Sequence, residues 1–286
     1  MSRNEAFTPW QCPLCGGALQ GETDLKCEKG HCFDRAREGY WHLLPVQSMR
    51  TKAPGDSKEM VAARRAFLNA GYYGIFGQAL GELCLAHGVP AAKDAPLHLL
   101  DAGCGEGWYT AGVYQALRSA GKTPRMAGTD ISKFILRYAA KREKGVEFAV
   151  ASSYHLPVAD GSIDLLINCF SPLALAEFRR VLKPGGTMLY VVPSEMHLWE
   201  LKEVLYDEPY PNEVKQTPYE GFAYEEIRHV ERVIHLPCQE DIHALFRMTP
   251  YCWKTPRAGA ERLTALKELD CRISFDIHVF HRKLEK

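Results

Sequence analysis

The sequence predicts an α/β fold, a doubly wound parallel sheet that carries a small N-terminal zinc-binding module. Three observations predict it. Apolar runs of strand length alternate with helical stretches from about residue 97 onward, giving five βα steps in register. A glycine-rich turn joins the first of these strands to its helix. Four of the ten cysteines fall between Cys12 and Cys32 while the rest are scattered singly through hydrophobic segments, a distribution that suits a metal site plus buried thiols better than a disulfide framework. With 286 residues and 46% hydrophobic content, the chain can bury one full core and still carry an appendage. The expected organisation is a zinc-binding module over 1–38, a connector and helix over 39–90, and a main domain over 91–286 with an acidic, lid-like insertion at about 196–226.

Thirty-five Lys and Arg residues balance thirty-five Asp and Glu residues, so no general basic field is available and any contact with a polyanion must come from local clustering. Neither a secretory signal nor an uninterrupted apolar run near the ~20 residues that span a bilayer is present. The expected location is cytoplasmic, with no membrane partner.

In the N-terminal module, Cys12-Pro-Leu-Cys15 is followed after eleven residues by Cys27-Glu-Lys-Gly-His31-Cys32. Zinc takes about four N or S donors in a tetrahedron, and a two-residue spacer lets both thiolates of a pair face one ion from a tight turn. Because roughly 35 residues cannot bury enough apolar surface alone, the metal would supply much of this module's folding energy. His31 and Cys32 are adjacent and either can complete the set; His31 is the favoured reading.

The connector from Arg35 to Arg65 holds Arg35, Arg37, Arg50, Lys52, Lys58, Arg64 and Arg65 against Glu38, Asp56 and Glu59, interleaved with Tyr40, Trp41 and His42. Such a local excess can contact phosphates while aromatic rings stack, and Arg35, Arg37, Arg50, Lys52, Arg64 and Arg65 are the candidate RNA-binding set. The bland alternative is a solvated linker whose aromatic residues dock on the main domain. Pro54-Gly55-Asp56-Ser57 forms a turn, and Asp56 or Ser57 can cap a helix that begins near Lys58 and buries Val61, Phe67 and Leu68.

The first strand of the main domain, Leu97-His-Leu-Leu100, leads into Asp101-Ala-Gly103-Cys-Gly105-Glu106-Gly107 and a helix from about Trp108 to Ala120. A lone glycine-rich loop is a weak signal, so its neighbours must discriminate. Asp101 would place negative charge beside a dinucleotide's pyrophosphate, whereas S-adenosylmethionine carries a cationic amino group and a sulfonium that a carboxylate attracts. The second strand, Arg125 to Asp130, ends in a carboxylate twenty-three positions after Gly107, placed to accept ribose hydroxyls. A third strand over Val146–Ala151 leads to Ser152-Ser-Tyr-His-Leu156-Pro157, a fourth covers Ile163–Asn168, and a helix, a Pro184-Gly185-Gly186 turn and a fifth strand run from Phe178 to Val192. Ile227–Leu236 and Arg272–His281 supply the last two strands, with a helix from Gln239 to Arg247 between them, to close a seven-stranded sheet. Between Glu200 and Glu226 eight acidic residues face only Lys202 and Lys215, a segment expected to lie away from phosphates or to act as a mobile lid.

Through Leu100-Asp101-Ala-Gly-Cys-Gly105, Thr129-Asp130-Ile-Ser, Leu156-Pro157 and Leu182-Lys-Pro-Gly-Gly186 the chain resembles the class I methyltransferases, with their Rossmann-like seven-stranded sheet. Along nearly its whole length it is similar to the RlmA family of 23S rRNA guanine-N1 methyltransferases. The residues that carry this likeness are the Cys12, Cys15, Cys27, His31 knuckle, Pro54-Gly-Asp-Ser57, Ala63-Arg-Arg-Ala-Phe-Leu68, Ala70-Gly-Tyr-Tyr73, Gly103-Cys-Gly105-Glu106, His197-Leu-Trp-Glu-Leu-Lys202 and Met248-Thr-Pro-Tyr-Cys-Trp253. The resemblance implies a zinc ion held by Cys12, Cys15, Cys27 and His31. It implies S-adenosylmethionine contacts from Tyr73, Gly105, Glu106 and His197, with Asp101, Gly103 and Asp130 added by the class-wide motif. Tyr73 can cover the adenosyl group or simply pack its helix on the core, and His197 can meet the cofactor or be a satisfied surface histidine.

No general base is singled out by spacing. Asn168, Ser171 and Pro172 follow the fourth strand and are the substrate-facing candidates. The implied substrate is a guanine in a hairpin loop of 23S rRNA, where unstacked bases expose N1. Two alternatives stand beside it: a small-molecule methyltransferase of the same fold, and a non-catalytic zinc-containing RNA-binding protein. A homodimer, with two zinc modules framing one RNA, is also compatible with the sequence.

Overall fold

The computed structural model describes residue 7 and residues 9–48, 55–90, 95–214 and 219–284. Two short strands, β1 (Asp24–Lys26) and β2 (Cys32–Asp34), form the antiparallel hairpin of the N-terminal module. After β3 (Trp41–His42), helices α1 (Lys58–Asn69) and α2 (Gly74–His87) lead to the main sheet. Ser57 caps α1 by accepting the Met60 N–H, and Val61, Phe67 and Leu68 are the buried face of that helix, as the sequence predicts.

The core then alternates as β4 (Leu97–Ala102), α3 (Trp108–Ser119), β5 (Pro124–Asp130), α4 (Lys133–Arg142), β6 (Glu147–Val150), β7 (Ile163–Cys169), α5 (Leu175–Val181) and β8 (Leu182–Pro193). It finishes with α6 (Trp199–Leu205), β9 (Phe222–Leu236), α7 (Gln239–Met248), α8 (Arg257–Ala265) and β10 (Leu269–Arg282). The sheet order is β3-β6-β5-β4-β7-β8-β10-β9, parallel except where β10 runs antiparallel to both β8 and β9. Helices cover both faces of the parallel part, so β7 is buried at every position and reads as one apolar run broken only by Asp164 and Asn168. Burying each aliphatic side chain here stabilises the fold by about 1.5–3 kcal/mol.

The sequence predicts seven strands, and the structure has eight in this sheet. The additional one is β3, which pairs parallel with β6 at the sheet edge. It places Trp41 and His42 of the connector at the edge of the main sheet. Trp10, Cys12, Leu19, Leu25 and Cys27 of the N-terminal module likewise share one apolar cluster with Leu100, Leu156 and Phe178 of the main domain. One carboxylate clamps the join: Glu147 on β6 accepts from the Phe7 N–H at 3.2 Å, Trp10 Nε1 at 2.7 Å and Trp41 Nε1 at 3.2 Å.

The segment expected to be a mobile lid is in good part core. Leu201 and Leu205 on α6 are fully buried, and so is Lys202, whose Nζ donates to the Tyr210 carbonyl at 2.9 Å and to Asn212 Oδ1 at 2.7 Å. Burial pushes the Lys202 ammonium below its ordinary value, and these two acceptors pin the chain that follows the helix. Acidic residues from Phe222 onward belong to β9, which begins five residues before the Ile227 expected from alternation. No helix among the described residues is long and apolar enough to cross a membrane.

Candidate active site and metal centre

The turn after β4 is shaped by close approach. Gly103 has φ +89°, and a Cβ there would lie 2.3 Å from Ser171 Oγ, so only glycine fits. The amides of Gly103 and Cys104 donate to the Thr129 carbonyl at 2.8 and 2.9 Å, and the Gly105 amide donates to Asp130 Oδ2 at 3.1 Å. Asp130 Oδ1 accepts the Ser132 N–H at 2.8 Å. The tips of β4 and β5 are therefore laced together, with the carboxylates of Asp101 and Asp130 beside the same loop.

Asp101 is 1% exposed and accepts from Thr110 Oγ1 at 2.6 Å through Oδ2, while its Oδ1 is buried without a partner. Burial, against the Thr110 hydrogen bond and reinforced by Asp130, pushes its pKa up to about 7. Burial also raises Asp130. Glu106, equally buried, is flanked by Arg65 Nε at 3.1 Å and Arg142 at 3.4 Å; burial raises its pKa despite these two guanidinium groups. Asn168 Oδ1 and Thr129 Oγ1 are further buried oxygens without hydrogen-bond partners. A run of buried, unpartnered oxygens around one glycine turn is costly and suits a ligand bearing cationic and hydroxyl groups. The residues present thus fit S-adenosylmethionine.

Several of the expected site residues are buried among other side chains. Tyr73 is 3% exposed and packs edge-on against Phe67 and Phe275, each with ring centres at 4.9 Å. His197 is also buried, with its ring 4.5 Å from that of Phe275 and Nδ1 accepting the Ser274 N–H at 3.1 Å. Burial, with Lys202 nearby, lowers its pKa to about 3, so its imidazole is neutral. Asn168 is fully buried; its Nδ2 donates to the Ala102 carbonyl at 3.0 Å and to Ser171 Oγ at 2.5 Å, and approaches the Pro172 carbonyl at 3.4 Å. Ser171 Oγ donates to the Ala102 carbonyl at 2.7 Å. These two residues brace the loops after β4 and β7 against each other. The residue between them that does face outward is Phe170, 47% exposed at φ +52°, which spacing alone did not single out.

Among the candidate phosphate contacts, Arg35 and Arg37 are exposed, whereas Arg64 pairs with Asp56 and Arg65 turns inward to Glu106 and lies 3.8 Å over the Tyr138 ring. Arg50 and Lys52 lie outside the described residues. A cleft of about 1070 Å³ runs between the N-terminal module and the main domain, lined by Leu14, Phe33, His42, Asp56, Ser132 and Trp253 among others. Ser132, two residues beyond Asp130, places the cleft beside the end of β5.

In the N-terminal module Cys12, Cys15, Cys27 and His31 converge, with their donor atoms all within 4.8 Å of one another. His31 Nδ1 lies 3.4 Å from both Cys12 and Cys27 Sγ, and the Cys15 and Cys27 sulfurs are 3.7 Å apart. Zinc–sulfur and zinc–nitrogen bonds near 2.3 and 2.0 Å give tetrahedral edges of about 3.5–3.8 Å, so this donor set fits zinc. Cys32 is exposed and directed to Asp24 Oδ2 at 3.3 Å, which leaves His31 as the fourth donor.

The N-terminal domain model of RlmA, a zinc ribbon, matches residues 10–52, and a methyltransferase domain model matches residues 99–186. A Bacillus subtilis protein provisionally named a 23S rRNA (guanine-N1)-methyltransferase is 31% identical over 97% of this chain and 98% of its own length. The 23S rRNA (guanine(748)-N1)-methyltransferase of Streptomyces fradiae is 36% identical over 68% of this chain and 67% of its own. Among solved structures, the YcgJ protein of Bacillus subtilis superposes with a TM-score of 0.50 at 17% identity, over 73% of this chain and 99% of that one, a likeness of fold.

Proposed function

This chain belongs to the RlmA family of 23S rRNA (guanine-N1)-methyltransferases, S-adenosylmethionine-dependent enzymes with a zinc ribbon, and we propose that it methylates N1 of one guanine in a hairpin loop of 23S rRNA. The observation that supports the reading is the cleft between the zinc module and the main domain, which is lined by Leu14 and Phe33 on one side and by Ile131 and Ser132, just beyond β5, on the other. In this proposal Asp101, Gly103, Gly105, Glu106 and Asp130 hold the cofactor, and Cys12, Cys15, Cys27 and His31 hold the zinc. The cofactor supplies the electrophilic methyl group. Guanine N1 bears a proton at neutral pH, so the chain's task is to unstack the base, orient it and weaken that N–H. The exposed ring of Phe170, backed by Phe76 at 5.6 Å and Phe275 at 5.4 Å, offers a flat apolar face for an extruded base at the edge where β4 and β7 end. Asn168 and Ser171 fix that face in place.

With unmodified 23S rRNA and labelled donor, nucleoside mass spectrometry should detect N1-methylguanine, mapped by oligonucleotide digestion to one hairpin loop. Folded, cofactor-binding protein that labels no form of the rRNA, naked or in precursor particles, and methylates a small metabolite instead would overturn the proposal. We also propose that two chains pair to frame one RNA; light scattering that shows a monomer in the RNA-bound state would rule this out.

A further inference from the structure

We propose that His87, Glu225 and His281 form a second transition-metal site, separate from the zinc ribbon, that takes a divalent ion of the zinc type. The three side chains come from three elements, the last turn of α2, β9 and β10, and their donor atoms lie within 4.8 Å of one another. His87 Nδ1 stands 3.4 Å from Glu225 Oε2, close to the ~3.3 Å edge of a tetrahedron built on 2.0–2.1 Å bonds, and His281 Nε2 contacts the same oxygen. The donor atoms of the ribbon cluster, whose metal chemistry is independently indicated, likewise all lie within 4.8 Å of one another.

What distinguishes this cluster from an ordinary ion-paired surface is the second ring nitrogen of each histidine. Metal-bound imidazoles usually donate their other N–H to a carboxylate, carbonyl or hydroxyl, which fixes tautomer and ring orientation. His87 Nε2 faces Glu226 Oε1 at 3.1 Å. His281 Nδ1 faces Thr187 Oγ1 at 3.2 Å, and that hydroxyl in turn points to the His87 carbonyl at 3.4 Å. Every proton then has one place: Nε2–H of His87 on Glu226, Nδ1–H of His281 on Thr187, and the Thr187 hydroxyl on the backbone. His87 Nδ1, His281 Nε2 and Glu225 Oε2 are left as three inward lone pairs. The His87 side chain is 13% exposed and that of Glu225 44%, so a water can complete the coordination.

The site lies at the amino edge of the parallel strands, where Thr187 opens the regular pairing of β8 with β7, opposite to the edge that carries Asp101 and Asp130. A metal there cannot touch the methyl-transfer chemistry. It staples the end of α2 to the β9–β10 hairpin, and its free energy of binding adds to the stability of the folded state.

The test uses untagged, full-length protein with its ribbon zinc in place, titrated with Co2+. One further equivalent should bind with weak visible d–d bands and no thiolate-to-cobalt charge-transfer band in the near ultraviolet, and the thermal midpoint should rise. Glu225→Gln and His281→Asn, both at partly exposed positions, should lose this uptake while keeping the ribbon zinc. Glu226→Gln should weaken it about 10–100-fold, the usual effect of removing an outer partner. The proposal fails if the native protein takes up no second ion at large excess, if the uptake brings a thiolate band, or if it survives unchanged in Glu225→Gln and His281→Asn.

Discussion

A buried carboxylate with an unsatisfied oxygen is expensive, and Asp101 carries that cost in the ligand-free chain. Between the ordinary carboxyl value of 3.8 and about 7 the folded protein holds a proton that the unfolded chain has released, so this residue makes stability fall as pH rises across that window. A cationic donor favours the ionised form, so cofactor affinity should rise with pH through about 7. Asp101→Asn, which stays neutral and can still accept from Thr110, should therefore stabilise the ligand-free protein by up to about 4 kcal/mol at pH 8 and hardly at all at pH 4. The same change should weaken S-adenosylmethionine binding by about 1–3 kcal/mol and flatten its pH dependence. Denaturant unfolding and calorimetry measure both, and a wild-type affinity that does not vary between about pH 5.5 and 8.5 would refute the assignment. That Asp101 and Asp130 would stand beside the glycine turn was legible because a strand's end fixes where its last side chains sit. The burial of Tyr73, His197 and Asn168 was not, because a motif names a residue without saying whether its polar end faces a cavity or a neighbouring backbone group.

At the level of elements, β4 and β7 were readable from short apolar runs, since a strand buried on both faces has little other composition available. The same reasoning fails for β3. Two residues have no periodicity, and what makes Trp41–His42 a strand is the partner they dock on, with Glu147 gathering two indole N–H groups and one amide. It also misses the start of β9, where charged and polar residues on an exposed edge strand break the alternation; such charges discourage pairing with another chain. The α6 region misleads because its acidic composition reads as solvent-facing, while its Leu201, Lys202 and Leu205 face is buried. Glu147→Ala should be a severe substitution for a partly exposed residue. It leaves the Trp10 and Trp41 indoles, 2% and 3% exposed, without their acceptor, and a loss of about 3 kcal/mol is expected. Because no zinc ligand is touched, the metal should remain bound while tryptophan fluorescence reports the module loosening from β6 at lower denaturant than the wild type. An unchanged unfolding midpoint would mean that the clamp is incidental.

Across the whole molecule, zero net charge means that any contact with a polyanion rests on particular basic residues rather than on a general field. At one edge of the sheet β3 adjoins the zinc module, with Arg35 and Arg37 exposed on the segment between β2 and β3. At the other, β9 presents Glu225, Glu226 and Glu231 interleaved with Arg228 and Arg232. In the proposed reading the RNA approaches from the zinc edge, along the cleft that passes Ser132. The turn of Arg65 toward Glu106 changes how this can be tested, since charge reversal there would disturb a proposed cofactor contact as well as any phosphate contact. Arg37→Glu leaves that ion pair alone, and Arg35→Glu adds a second reversal at the cost of the guanidinium over Trp41 and its bond to the Gly39 carbonyl. If both arginines meet phosphates, the double variant should bind 23S rRNA fragments more weakly, and the slope of log affinity against log salt should fall by about 1.4–1.8, because two fewer sets of counterions are released. The single Arg37→Glu variant should show about half that change, and both should keep one ribbon zinc and the wild-type affinity for S-adenosylmethionine. Filter binding over a series of salt concentrations gives the slope directly. A double variant with the wild-type slope would place the RNA on a different face, and would leave the cleft to the cofactor and the base alone.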